Sequence, residues 1–195
     1  MPARDPLLTP ELIKILKIFI FSSLGLVFIF SFFNSYRADN TGLDRTFKAS
    51  DAEKLYFLNV RSIHYDRGVR RDAGMTLFRH GKRMQSDSFP TFDPVIVLNP
   101  VKDEAYIFFE LLNAEYPISI HAYSGSDSQS IQFSIGNNQD HFRLMNQLKP
   151  WIEANYQIEL RAENQSFPIW STEKEKEVFK TIAEDYFRLI NQADN

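Results

Sequence analysis

The 195-residue chain contains no cysteine. That excludes a disulfide framework, thiolate zinc sites, iron–sulfur clusters and cysteine nucleophiles, all of which need sulfur. Glycine is scarce, with seven residues, and neither G-x-G-x-x-G nor G-x-x-x-x-G-K occurs, so no glycine-rich phosphate loop is present. Histidine is equally sparse. His64, His80, His121 and His141 stand apart, with no H-x-x-x-H spacing, so no metal and no other cofactor is expected. Proline and glycine together make 16 residues while apolar residues make 44%, which excludes low-complexity disorder.

Long apolar runs are absent everywhere except near the N-terminus. From Ile18 to Phe33 sixteen residues pass without a charge, six of them Phe. A helix needs about 20 residues to cross the ~30 Å hydrocarbon core of a bilayer. Extension back to Leu12 reaches that length if Lys14 and Lys17 snorkel to the headgroups, and Tyr36 suits the opposite interface. Thr9 is the expected N-cap, ahead of Pro10 and Glu11. A cleaved signal peptide fits poorly, because Phe, Asn and Tyr occupy the run's end where small residues are required. A buried core helix fits poorly too, because the Phe residues lie all round its surface. The sequence therefore predicts an uncleaved single-pass signal-anchor, with a transmembrane helix over 12–35. The small patch Ser22, Ser23 and Gly25 would let a second membrane helix approach closely.

The positive-inside rule orients this helix. Arg4, Lys14, Lys17 and the N-terminal amine precede it, against Arg37, Arg45 and Lys48 beyond it. Residues 1–11 are expected to be cytoplasmic, 36–54 a polar tether, and 55–195 an extracytoplasmic domain, periplasmic in a bacterium. Asn164-Gln165-Ser166 fits the glycosylation acceptor pattern.

The expected fold class is α+β: a mostly antiparallel sheet of five to seven strands covered by two C-terminal helices. Strands are predicted at 55–65, rich in aromatic and β-branched residues, at 75–84, and at 95–99, closed by Pro100. Residues 104–112 fit strand or helix, with the YIFF core favouring strand. Residues 118–123 and 130–135 flank a serine-rich hairpin tip, and 156–160 make a last strand. From Asp140, Phe142, Met145, Leu148, Trp151 and Ile152 repeat at helical spacing after a cap near Asn137 or Asn138, and Pro150 is expected to kink or end that helix. Thr172 and Glu175 form a capping box before the stripe Val178, Phe179, Ile182, Tyr186, Leu189 and Ile190.

One triplet carries candidate chemistry. Arg79-His80-Gly81 after an apolar strand resembles the RHG motif of the histidine phosphatases. The resemblance implies a phosphohistidine nucleophile beside a phosphate-binding arginine, with Lys82 and Arg83 at hand. It covers three residues, and that family also uses alternating strands and helices and a late second histidine, for which only His121 and His141 are available. The strand followed by a basic turn is the plainer reading. His64 and Asp66, two apart, are expected to be a half-buried polar pair, and Gly136-Asn137-Asn138 a capped strand-to-helix connection.

Charge is polarised along the chain. Residues 61–83 hold Arg61, Arg67, Arg70, Arg71, Arg79, Lys82 and Arg83 against Asp66 and Asp72, a net +5. Residues 84–195 hold 8 basic and 17 acidic residues, a net −9. The two halves either neutralise each other across the fold or leave a basic hairpin facing anionic lipid headgroups or an acidic partner protein. Nucleic acid is not expected, since residues 34–195 sum to −4. The expected function is that of a non-enzymatic accessory module that binds another protein, with a phosphate-ester hydrolase or a small-ligand or lipid-binding domain as alternatives.

Overall fold

The computed structural model describes residues 10–32, 47–162 and 165–191. The chain divides into two compact units, one of residues 1–43 and one of residues 44–195. The described residues of the first form the helix α1 (Pro10–Phe32).

Among the described residues no helix is long and apolar enough to cross a membrane. This overturns the transmembrane span expected over 12–35. Helix α1 opens with Glu11 and carries Lys14 and Lys17, so its first two turns are charged. The uncharged part of the helix, Ile18 to Phe32, is fifteen residues, about 22 Å of helix, short of the ~30 Å hydrocarbon core. The single-pass anchor, its orientation and the extracytoplasmic placement fall with the span. Thr9, Tyr36 and Asn164 lie outside the described residues.

The second unit is α+β, with two antiparallel four-stranded sheets rather than one larger sheet. Phe47 and Ala49, within the stretch expected to be tether, are both buried. Residues 55–65, expected as a strand, form instead a helical segment. It runs through α2 (Asp51–Tyr56), a π-helical turn (Phe57–Arg61) and a 3₁₀ turn (Ser62–His64). The reason lies just upstream, where the Ser50 side chain caps the helix by accepting from Glu53 N–H at 3.2 Å. Phe57 is then the one side chain of α2 and its π turn that is buried.

The first sheet has the order β1 (Tyr65–Arg70), β2 (Met75–His80), β3 (Thr91–Asn99), β4 (Glu104–Leu112). The hairpin β1–β2 turns at Gly74, whose φ of 62° belongs to the left-handed region. The second sheet has the order β6-β5-β7-β8, from β5 (Ile118–Ser124), β6 (Asp127–Phe133), β7 (Gln157–Ala162) and β8 (Gln165–Ile169). Strand β8 pairs back on β7 and carries Pro168, a residue that sheets tolerate on an edge strand.

Helix α3 (Asn138–Glu153) has Asn137 as its N-cap in a capping box with Asp140, and runs through Pro150 for three more residues. Helix α4 (Glu173–Leu189) has the Thr172–Glu175 capping box and buries its expected stripe. Its second half is buried nearly all round, and one continuous core joins it to α3 and to the inner faces of both sheets.

Two polar contacts explain this arrangement. His141, on α3, is 1% exposed, and its Nδ1 accepts from the Phe109 N–H of β4 at 3.1 Å. This bond takes up an edge donor of β4, so α3 lies along that edge, and β5 belongs to the second sheet. Asp185, buried on α4, accepts from Arg61 Nε–H and from the Tyr65 hydroxyl, each at 2.7 Å. Burial and the adjacent carboxylate hold the Tyr65 hydroxyl protonated, well above its usual range. Asp185 thereby ties the start of the first sheet to the central helix. Asp185→Ala should lower unfolding free energy by about 3 kcal/mol, because it strands a partly buried guanidinium. Tyr65→Phe should cost about 1.5–3 kcal/mol for one charged hydrogen bond. Urea midpoints of the two variants check both values.

Candidate functional site

Side chains alternate across a strand, so the first sheet presents two unlike faces. The inner face carries Phe78, Ile96, Leu98, Ile107 and Phe109 into the core. The outer face carries Leu77, Arg79, Val95, Val97, Tyr106, Phe108 and Glu110. Phe47 covers one end of it, its ring centroid 5.4 Å from that of Tyr106. The remainder forms a groove of about 430 Å³, whose lining includes Gly68, Leu77, Val97, Phe108 and the pair Arg79–Glu110.

The pair at the rim is rigid. Arg79 donates from Nε and Nη2 to the two oxygens of Glu110, both at 2.7 Å. A two-pronged guanidinium–carboxylate contact fixes the plane of the arginine as well as its charge. The carboxyl of Glu110 is held below its usual range by that arginine. Gly68 makes room for it, since a Cβ on Gly68 would lie 3.1 Å from the Arg79 guanidinium.

The same alternation separates the members of the phosphatase-like triplet. Arg79 projects to the outer face, while His80 is buried on the inner one, its ring edge-on to Tyr65 with centroids 5.1 Å apart. His80 Nδ1 accepts from the Lys82 backbone N–H at 3.2 Å, and burial lowers its basicity. The other histidines are no closer to a common site. His121 lies on the outer face of the second sheet, and His141 is engaged by β4. His64 sits in the 3₁₀ turn rather than on a strand beside Asp66, so the expected pair is not formed. Among the described residues no three His, Asp or Glu side chains converge as a metal site would require.

The basic set is divided rather than gathered. Arg61 is bound to Asp185, Arg70 to Asp72, Arg79 to Glu110 and Arg83 to Asp66. Arg67, Arg71 and Lys82 have no acidic partner among the described residues. The expected neutralisation across the fold therefore holds for Arg61 and Arg79, whose partners come from the acidic half. The surplus positive charge lies on the β1–β2 hairpin and the turn after it. A second depression, of about 600 Å³, lies on the polar outer face of the second sheet, with Ser119, His121, Arg161 and Ser166 in its lining.

The sequence predicts a buried strand at 95–99, which the structure bears out, and a strand at 104–112, but it does not show the groove beside them. The available signal was Gly68, an isolated glycine in what proves to be a strand, where a close approach by another group is the usual reason.

Asp93 sits at one end of β3, beside Glu110 in the register. Burial pushes its carboxyl up to about 7, with Glu175 and Glu110 adding to the rise and Arg83 and the Trp170 indole opposing it. Between its ordinary 3.8 and about 7, the folded chain holds a proton that the unfolded chain releases, so this group makes stability fall as pH rises. His141 acts with the opposite sign. Burial brings it from 6.5 down to about 4, so it makes stability rise with pH over much the same window. Asp93→Asn should therefore raise the urea midpoint at pH 7 and unmask a profile that climbs between pH 4 and 6.5. A variant less stable than wild type at pH 7 would contradict this account.

No protein-family model matches the chain, and neither a curated protein nor a solved structure is significantly similar to it.

Proposed function

We propose that this protein is a non-enzymatic binding module, and that the outer face of the first sheet holds an acidic, aromatic-bearing segment of a partner protein. The observation that carries this reading is an apolar groove beside the half-exposed Phe108, lined by Leu77 and Val97 and bordered by Arg70 and Arg79. One-faced sheets ordinarily turn polar side chains to water. Here the open face offers Phe108, 40% exposed, beside a guanidinium whose plane is fixed. Such a surface suits an aromatic side chain, which gains apolar contact and stacks on the arginine. Arg67 and Arg71, without acidic partners among the described residues, favour acidic residues on either side of that aromatic.

The separation of Arg79 from His80 removes the reason to prefer a phosphate-ester hydrolase. The groove is open along one side and its neighbouring strands are charged, which favours an extended polypeptide over an enclosed small ligand.

A fluorescent heptapeptide, Glu-Val-Glu-Phe-Glu-Val-Glu, tests the reading by anisotropy with the full-length protein. Saturable binding in roughly the micromolar range is expected, weakening as salt is raised. Phe108→Ser should cost about tenfold in Kd, the usual scale for a contact aromatic. Absence of binding, or an affinity indifferent to Phe108→Ser, would overturn it.

A further inference from the structure

We infer that the partner segment binds as an added strand on the free edge of β1, with its aromatic residue opposite Gly68. This deepens the proposed binding at the outer face and rests on it.

The geometry begins with one backbone bond. Gly81 N–H donates to His64 C=O at 2.8 Å, at the position one step beyond the pair Tyr65 and His80. Hydrogen-bonded and non-hydrogen-bonded pairs alternate along an antiparallel ladder. Residues 66, 68 and 70 therefore bond to β2, while Tyr65, Arg67 and Val69 direct their backbone groups away from it. Tyr65 confirms the parity, since its N–H is taken by Ser62 C=O on the outer side. The N–H groups of Arg67 and Val69 and the C=O groups of residues 65, 67 and 69 thus make an open edge. The side chains of Arg67 and Val69 are exposed as well, Val69 to 61%.

The other sheet edges are treated differently. The Phe109 N–H of β4 is taken by His141. Strand β8 carries Pro168, which has no N–H. Strand β6 lies beside α3, whose Trp151 indole N–H donates to Gln129 at 2.9 Å. Among the described residues β1 pairs with β2 alone.

Charge selects the occupant. A second copy of this hairpin would bring like against like, since residues 65–80 carry four arginines against two aspartates, and surplus charge of one sign repels its own kind. An acidic strand would meet Arg67 and Arg71 instead. Register selects the aromatic. Gly68 has no side chain, and the Arg79 guanidinium lies where its Cβ would crowd it. A residue opposite Gly68 on an added strand reaches across that gap, and an aromatic ring there stacks on the guanidinium that Glu110 holds flat.

The test uses the full-length protein and two further versions of the heptapeptide above, each N-methylated at one alternating set of amides. Only one set faces β1 in an added strand. One methylated peptide should keep its affinity within about threefold of the parent, and the other should lose at least tenfold. Amide exchange at Arg67 and Val69 should slow on binding of the parent. Val69→Pro, which deletes an edge donor without touching the bonds to β2, should weaken the parent peptide at least tenfold with an unchanged urea midpoint. If the parent binds and Phe108→Ser weakens it, yet both methylated peptides bind like the parent or both fail, edge pairing is wrong and binding at the face stands. If the parent does not bind at all, both readings fall.

Discussion

The hydrogen bond from the Phe109 N–H to His141 Nδ1 decides what the rest of this domain looks like. A sheet edge is a row of backbone groups that must find partners or water. Once a histidine on α3 supplies the partner for β4, the helix lies along that edge, and β5 belongs to the second sheet. Two four-stranded sheets then share one core, with α4 buried nearly all round between the elements that need apolar cover. Because its Nδ1 is the acceptor, His141 must be neutral, and burial among the Phe108, Phe109 and Phe133 rings keeps it so.

The charges follow from the same requirement. A buried carboxylate on the central helix is tolerable only because Asp185 receives two short donors, and those donors come from the segment that leads into β1. A second pair, Arg79 with Glu110, lies across the outer face of the first sheet and fixes a guanidinium at the edge of an apolar groove. Cations left without acidic partners in the described residues border the strand whose backbone is also unpartnered. Open edge, open face and surplus charge coincide on one hairpin.

Local signals in the chain were legible where a short stretch decides its own conformation. Thr172 with Glu175, and Asn137 before its helix, are capping residues whose side chains act within one turn, and both helices start there. The alternation in 118–123 and the run at 104–112 appear as strands for the same reason. Reading failed where composition competed with a neighbour's effect. The aromatic and branched residues of 55–65 favour a strand, yet a cap at Ser50 starts a helix that carries through them. The apolar run after Ile18 suggested a span, yet the charged first turns of α1 leave too little uncharged length among the described residues.

The amino-acid sequence alone determined the α+β class, the two capped C-terminal helices, most strands and the polarised charge, because each depends on residues within a few positions of one another. Only the tertiary structure decided how many sheets form, which edge stays open and which cations keep their charge uncompensated by an acidic partner. Those outcomes depend on contacts such as Phe109 with His141, Arg61 with Asp185 and Arg79 with Glu110, which join residues 31 to 124 positions apart. The same holds for Arg79 and His80. Adjacent in the chain, they suggest one site, and the pleat of a strand turns them to opposite faces.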